Sequence, residues 1–404
     1  MLEDFLEQCR SSSIGVHLDG FAGRLDAEGY ALRTARGHLH TAAHLGSFLQ
    51  TRDHALGSLD EKTLGEFRQH LPRCRCPQSG GGIGRSALDG ARLFLEYLRD
   101  VGVISVAHDR EDKAPPLVES FRHWLDQQCG YAESTLVLYC RGAAQLVSSL
   151  GDDPSRYDAR GLRAFTLERA RRSGQGATEA LIKALRAFLR YLTVEGKCRA
   201  GLDRAIPSVS GWRLSSLPRS LSSCDLESTV DTCDIETRQG VRNRAILLLL
   251  SRLGLRASDV AGLRLADFDW EDATVLVSGK SRRQARLPLP QEVGDAVLQY
   301  LEYRPDSDTD RVFIRLRAPL GPLDAGGVSA VAARAMRRAG VSAPSYGSHI
   351  LRHTAATQML RQGVPLDEVR TILRHQSLDM TATYAKVDLE LLRAVTQPWP
   401  EVLR

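Results

Sequence analysis

Residues 348–363 read Ser-His-Ile-Leu-Arg-His-Thr-Ala-Ala-Thr-Gln-Met-Leu-Arg-Gln-Gly. Ser348 suits the N-cap of a helix and Gly363 the residue just past its end. On that helix His349, Arg352 and His353 fall at i, i+3 and i+4, on one face. Their tips converge, and the N-terminal helix dipole adds to the pull on any small anion placed there. Downstream, Pro365 suits the first turn of another helix. A short helical piece is expected around Tyr384, and a last helix over 388–395, before Pro398-Trp399-Pro400. Upstream, Val241–Leu253 reads as a buried helix and Val328–Ala339 as another. Between them, Thr274–Val277 and Arg286–Leu289 read as short strands around a polar tip, residues 278–283. The region from 220 to 404 is thus expected to be one α+β domain, mainly helical with a small sheet.

The first half repeats itself. Gly29-Tyr30, Thr34, Ala42-Ala43, Leu45 and Leu49 return 101 residues later as Gly130-Tyr131, Thr135, Ala143-Ala144, Leu146 and Leu150. Arg92, Phe94-Leu95, Tyr97-Leu98 and Gly102 return 94 residues later as Arg186, Phe188-Leu189, Tyr191-Leu192 and Gly196. The seven-residue slip falls at Ser79-Gly80-Gly81-Gly82, where a surface connector lengthens at little cost. Apolar residues recur every three or four positions, as in Leu185, Phe188, Leu189 and Leu192, so both copies should be helical. The expected division is 1–105, 115–205 and 220–404, with linkers at 113–116 and 206–218. Three domains fit 404 residues at roughly 150 per domain.

Apolar residues make up 43% of the chain and charged residues 25%, ordinary values for a globular protein. The net charge of +5 permits a polyanionic partner without requiring one. Eight cysteines without repeated spacing fit a reduced, cytoplasmic setting better than a disulfide framework. The acidic start carries no leader pattern, and the longest apolar run, 245–250, is too short to span a bilayer. His70, Cys74 and Cys76 lack a fourth ligand of suitable spacing, so no metal site is expected. Gly80–Gly84 is a connector rather than a phosphate loop, since no strand precedes it and no Gly-Lys-Ser/Thr follows.

The order Arg256, Lys280, His349, Arg352, His375, Tyr384 supplies what phosphoryl transfer to a protein nucleophile needs without metal or other cofactor. Arg256 and Arg352 hold the phosphate charge, because a guanidinium stays protonated and donates two parallel bonds. Lys280, on a flexible stem at the hairpin tip, can protonate a departing sugar oxygen. Tyr384 is the candidate nucleophile; its phenol, at about 10, needs nearby positive charge or a base. His349 fits contact with the phosphate or proton transfer to and from that nucleophile, with His353 in support, and His375 can donate to the same phosphate. Arg213, Arg219, Arg282, Arg283 and Arg286 are candidates for DNA contact.

The series Gly254-Leu255-Arg256-Ala257-Ser258-Asp259-Val260-Ala261-Gly262-Leu263, Gly279-Lys280, His349-x-x-Arg352-His353, Leu373-Arg374-His375 and Thr383-Tyr384 resembles the tyrosine recombinases, the phage integrase and Xer-type family. The motifs cover about residues 240–390, and the helical repeats resemble the family's core-binding domain, one copy being extra. The resemblance implies a C-shaped clamp on double-stranded DNA with inverted-repeat core sites. It further implies a 3′-phosphotyrosyl intermediate and strand exchange in a homo-tetramer, with or without other recombinases. It makes Arg256, Lys280, His349, Arg352, His375 and Tyr384 the active-site set, with Asp259 buttressing the first arginine. The ending, residues 383–400, is closer to transposon-encoded integrases than to chromosome-dimer resolvases. One departure stands out: Arg374 occupies a position where the family commonly has glycine. Either that turn is right-handed here or the site tolerates a cost of about 1 kcal/mol, and Arg374 can instead meet DNA. A type IB topoisomerase and a catalytically silent accessory subunit are the competing readings. Site-independent relaxation of supercoils would mark the first, and DNA binding without a covalent adduct the second.

Overall fold

The computed structural model describes residues 14–74, 85–104, 115–131, 133–208, 220–278, 284–343, 345–375, 381 and 384. The chain packs as two compact units, one formed by 1–101 together with 214–404, the other by 102–213.

In the first unit, residues 15–100 form four helices: α1 (Gly15–Ala27), α2 (Leu32–Thr51), α3 (Glu61–His70) and α4 (Arg85–Asp100). The second unit has the same order: α5 (Pro116–Cys129), α6 (Glu133–Leu150), α7 (Ala159–Arg172) and α8 (Gln175–Val194). The likeness extends to the cores. Phe21 meets Phe94 edge-on at 5.1 Å and 64°, and Phe121 meets Phe188 at 5.0 Å and 63°. Tyr97 completes the first cluster at 5.6 Å from Phe21, and Tyr191 the second at 5.5 Å from Phe121. The caps repeat as well. Asp60 accepts the Thr63 amide at 2.7 Å at the start of α3, and Asp158 accepts the Gly161 amide at 2.7 Å at the start of α7. The glycine-rich slip at 79–82, with the rest of 75–84, lies outside the described residues.

The remainder of the first unit is built around α10 (Arg238–Arg252), which follows the short α9 (Ser223–Asp231). Val241 and the run Ala245–Leu250 are buried around the whole helix, so it is a central element rather than an amphipathic one. Arg242 is buried with them and donates to the Ile314 carbonyl at 2.9 Å. After α11 (Ala257–Gly262) comes an antiparallel sheet in the order β1 (Phe268–Asp269), β2 (Thr274–Ser278), β3 (Gln284–Pro288). Val275 pairs with Leu287 and Val277 with Ala285. Val275, Val277 and Leu287 face the core, as the two-residue alternation of a half-buried sheet requires. Then follow α12 (Gln291–Tyr303), α13 (Ala325–Arg338), α14 (Ser348–Arg361) and α15 (Leu366–Leu373).

Two expected boundaries shift. Gly347, with φ 152°, takes the N-cap of α14, and Ser348 is its first helical residue, its amide held by Ser329 Oγ at 3.3 Å. Pro365 is the N-cap of α15, and the helix opens at Leu366. Gly363 follows α14 at φ 85°, the left-handed exit expected of it. The helix expected over 388–395 lies outside the described residues. Among the described residues no helix is long and apolar enough to cross a membrane.

Candidate active site

Arg352 lies on the inner face of α14 and is 8% exposed. Its guanidinium donates to the Gly254 carbonyl at 2.5 Å and to the Leu373 carbonyl. Those carbonyls end the segments that carry Arg256 and His375. Gly254 is left-handed at φ 60°, and a Cβ there would come within 2.6 Å of Leu373 Cδ2, so only glycine fits this close approach. Burial, with Arg256 pushing the same way, lowers the Arg352 pKa to about 10, which leaves it charged at neutral pH.

Arg256 caps α11. Its amide donates to Asp259 Oδ2 at 3.0 Å, and its guanidinium reaches the Arg374 carbonyl at 3.3 Å. Burial and the neighbouring Arg374 lower its pKa against the opposing pull of Asp259 and Tyr384. Asp259, 3% exposed, also accepts from the Arg374 guanidinium. Three guanidiniums against one carboxylate leave two uncompensated positive charges beside Tyr384.

Arg374 is left-handed, at φ 54° and ψ 49°. The backbone that the glycine pattern implied is therefore present, with arginine adopting it. The expectation that Arg374 turns to DNA is corrected. Its side chain is 11% exposed and points inward to Asp259 and the Val277 carbonyl, the latter at 3.4 Å.

Tyr384 is 2% exposed and packs on Ala356, Leu360, Val369 and Leu373. Its hydroxyl lies 2.5 Å from His353 Nδ1. Burial raises its pKa to about 12, opposed by Arg352 and Arg256. His353 is held below its ordinary value by burial, then by His349 and Arg352. A neutral His353 protonated on Nε2 therefore offers Nδ1 to the phenol. His375 lies parallel to the Tyr384 ring, 6.1 Å away and 8° from coplanar, and bonds Thr381 Oγ1 through Nδ1 at 2.8 Å. Burial, with Arg352 and Arg256, lowers its pKa to about 4. His349 is exposed, one turn before His353, with its Nε2 3.0 Å from Ser345 Oγ.

Arg256, Asp259, Arg352, His353, Arg374, His375 and Tyr384 thus form one cluster. Sequence reasoning gave His353 a supporting place and His349 either the phosphate contact or the proton; the structure sets His353 against the tyrosine. Arg286 is exposed on β3 and paired with Asp269 at 2.9 Å. Lys280, Arg282 and Arg283 at the hairpin tip, and Arg213 and Arg219 in the linker, lie outside the described residues. The structure adds Gly254 and the carbonyls of 373 and 374, which backbone geometry alone makes part of the site.

Comparison with known proteins agrees with this geometry. Residues 219–390 match the phage integrase family. A putative integrase/recombinase, y4rA, of Sinorhizobium fredii is 33% identical over 399 residues, covering 96% of this chain and 95% of its own. The tyrosine recombinase XerC of Oceanobacillus iheyensis is 31% identical over 221 residues, 52% of this chain and 70% of that protein. A lambda integrase dimer bound to a COC′ core site shares the fold, with a TM-score of 0.56 at 17% identity, over 81% of this chain and 94% of that one. With near-complete coverage at that identity, the chain belongs to the phage integrase family: it is a tyrosine recombinase, a site-specific DNA strand transferase that works through a covalent phosphotyrosyl intermediate.

Proposed function

We propose that Tyr384 is the nucleophile and that His353 takes its proton. The observation that carries this reading is the 2.5 Å contact between the Tyr384 hydroxyl and His353 Nδ1 beside Arg256 and Arg352. As the phenol oxygen bonds to phosphorus, its proton passes to His353 and the bond to the 5′ sugar oxygen breaks. Lys280 supplies a proton to that leaving oxygen. The five-coordinate phosphorane carries two negative charges, and the two uncompensated cations of the cluster oppose them in sign and equal them in number. Such placed donors stabilise charge as it develops, and removing one costs about 10²–10³-fold in rate. His349 and His375 donate to the non-bridging oxygens. Reversal of the step by a DNA hydroxyl rejoins a strand with no external energy source.

The two helical quartets fit separate DNA-gripping domains, 1–105 and 115–205, ahead of a catalytic domain at 220–404. Inverted-repeat core sites and a tetramer, homotypic or shared with other recombinases, complete the reading. The test is a nicked duplex carrying the cognate site. Wild type should accumulate a covalent protein–DNA adduct, Tyr384→Phe none, and Arg256→Ala about 10²–10³-fold less per unit time. Equal adduct from Tyr384→Phe would remove Tyr384 from the nucleophile role. Binding without adduct by wild type, other recombinases included, would favour an accessory subunit.

A further inference from the structure

We propose that His44, His70 and Cys74 form a zinc site that staples the first helical quartet. His44 lies midway along α2, His70 ends α3, and Cys74 follows directly on the 3₁₀ turn Leu71–Arg73. Pro72 stops the helix there and sends the chain back towards α2, so three residues spread over 31 positions converge. His44 Nε2 and Cys74 Sγ are 3.1 Å apart, and the three ligand atoms all lie within 4.8 Å of one another. Tetrahedral zinc with ordinary bond lengths holds such N and S atoms roughly 3.3–3.6 Å apart, so small side-chain rotations close the set. His44 is 5% exposed, His70 and Cys74 are half-buried, and the rings of Phe67, 5.1 Å from His44, and Phe48, 5.0 Å from His70, line the inner side of the cluster. Two imidazoles and one thiolate suit Zn²⁺ among the common divalent ions. Cys76, the third residue of the motif in the sequence, lies outside the described residues and is not part of this set.

The second quartet acts as an internal control on the idea that these side chains merely fill space. Counted from the caps Asp60 and Asp158, Phe67 and Phe165 share a place at an offset of 98, while Ala42-Ala43 and Ala143-Ala144 stand at 101, so three of the seven residues of slip fall before α3 and not at 79–82. Carried by that register, His44, His70 and Cys74 correspond to Gln145, Glu168 and Arg172. Glu168 and Arg172 are joined by a surface ion pair at 2.6 Å, and α7 continues to Arg172 where α3 has already ended. A bundle of this design therefore packs its aromatic core without a histidine or cysteine at any of the three positions. The first copy has placed three metal-binding groups where its sister keeps polar residues, half-buried Gln145 and exposed Glu168 and Arg172.

Binding releases the Cys74 thiol proton to solvent and joins α2 to the end of α3. The test uses the full chain, purified without chelators from zinc-supplemented cultures. Elemental analysis should find about one zinc per chain. Wild type stripped with a chelator should take up Co²⁺ with a thiolate-to-metal charge-transfer band, and should melt at lower temperature than the zinc form. Cys74→Ser should lose the band. His44→Gln and His70→Glu, which install the second copy's residues, should weaken Co²⁺ binding by at least the roughly 10–100-fold that loss of an outer-sphere partner costs. Circular dichroism reports whether each variant is folded. The wild-type titration stands independently of them: no zinc on isolation and no thiolate band on adding Co²⁺ overturns the site. A band that survives in folded Cys74→Ser overturns it equally.

Discussion

Arg374 is held in a left-handed conformation that costs a non-glycine residue roughly 1–2 kcal/mol. Its guanidinium is paired with a carboxylate that is almost wholly buried. Removing one partner of a buried pair costs about 3–5 kcal/mol. The pair outweighs the strain, so Arg374→Gly should destabilise the protein by roughly 1–4 kcal/mol, measured by chemical denaturation, although glycine suits the backbone better. A gain in stability would show that the pair contributes little. Arg374→Gly keeps the carbonyl that holds Arg256, so the loss is not a loss of that contact. Protons give a second prediction at this scale. His353 and His375 both have folded pKa values below the unfolded 6.5, His375 at about 4. A histidine depressed in this way favours the folded state above the unfolded value, and that contribution is lost as pH falls towards the folded one. The melting temperature should therefore drop between about pH 6.5 and about pH 4, and His375→Gln should flatten that drop. Single-turnover adduct formation should stay level from about pH 8 to below about pH 6.5 and then fall as His353 gains its proton. A fall centred at or above the ordinary histidine value would remove His353 as the base.

At the level of elements, long segments with strong apolar period could be read from the chain, and short ones could not. α10, α13 and α14, the two strands flanking the hairpin tip and the doubling of the helical region all declared themselves. β1 has two residues and α11 six, too few to display a period. The stripe Val293, Ala296, Val297 and Tyr300 of α12 is regular, but it follows within four residues of the segment Arg286–Leu289 that reads as a strand. His44 was invisible as a partner of His70 and Cys74 because it sits 26 residues upstream on another helix. That Arg256, Arg352 and Tyr384 come together was legible from order and spacing. The place of His353 against Tyr384 depends on how the chain after α15 returns to α14, which spacing does not show. The two quartets also differ instructively where their helices touch. Thr41 faces Gly90 in the first, while Gly142 faces Ala184 in the second, the larger residue having changed sides. A Cβ at Gly142 would lie 2.9 Å from that of Ala184. Gly142→Thr alone should therefore cost about 1–3 kcal/mol through overpacking. Adding Ala184→Gly should recover most of it, as thermal melting of the single and double variants would show. Purely additive losses would mean that the two positions do not share one contact.

Across the whole molecule, the free chain keeps the proposed nucleophile buried. Tyr384 is 2% exposed, whereas Tyr131 and Tyr303 are 40% and 42% exposed. Nitration or iodination followed by peptide mapping should mark Tyr131 and Tyr303 well before Tyr384. Binding to cognate DNA should raise the reactivity of Tyr384 relative to both if engagement frees the side chain for attack. Rapid labelling of Tyr384 in the free protein would contradict the buried arrangement. DNA affinity itself should fall steeply with salt, as phosphate neutralisation by arginine and lysine requires.

The guanidinium contacts to Gly254, Leu373 and Arg374 carry a consequence for descent. Both arginines tie loops together before any phosphate arrives, so they serve as struts as well as charges. A descendant that abandoned DNA cleavage would still be selected to keep them, because losing either would loosen the fold. The Tyr384 hydroxyl carries no comparable burden, since among the described residues its bond is to His353 and a phenylalanine ring would fill the same pocket. Among relatives of this chain, conserved arginines at 256 and 352 would therefore attest to shape alone, and with Tyr384 as the proposed nucleophile its oxygen is the character that would record whether the enzyme still cuts.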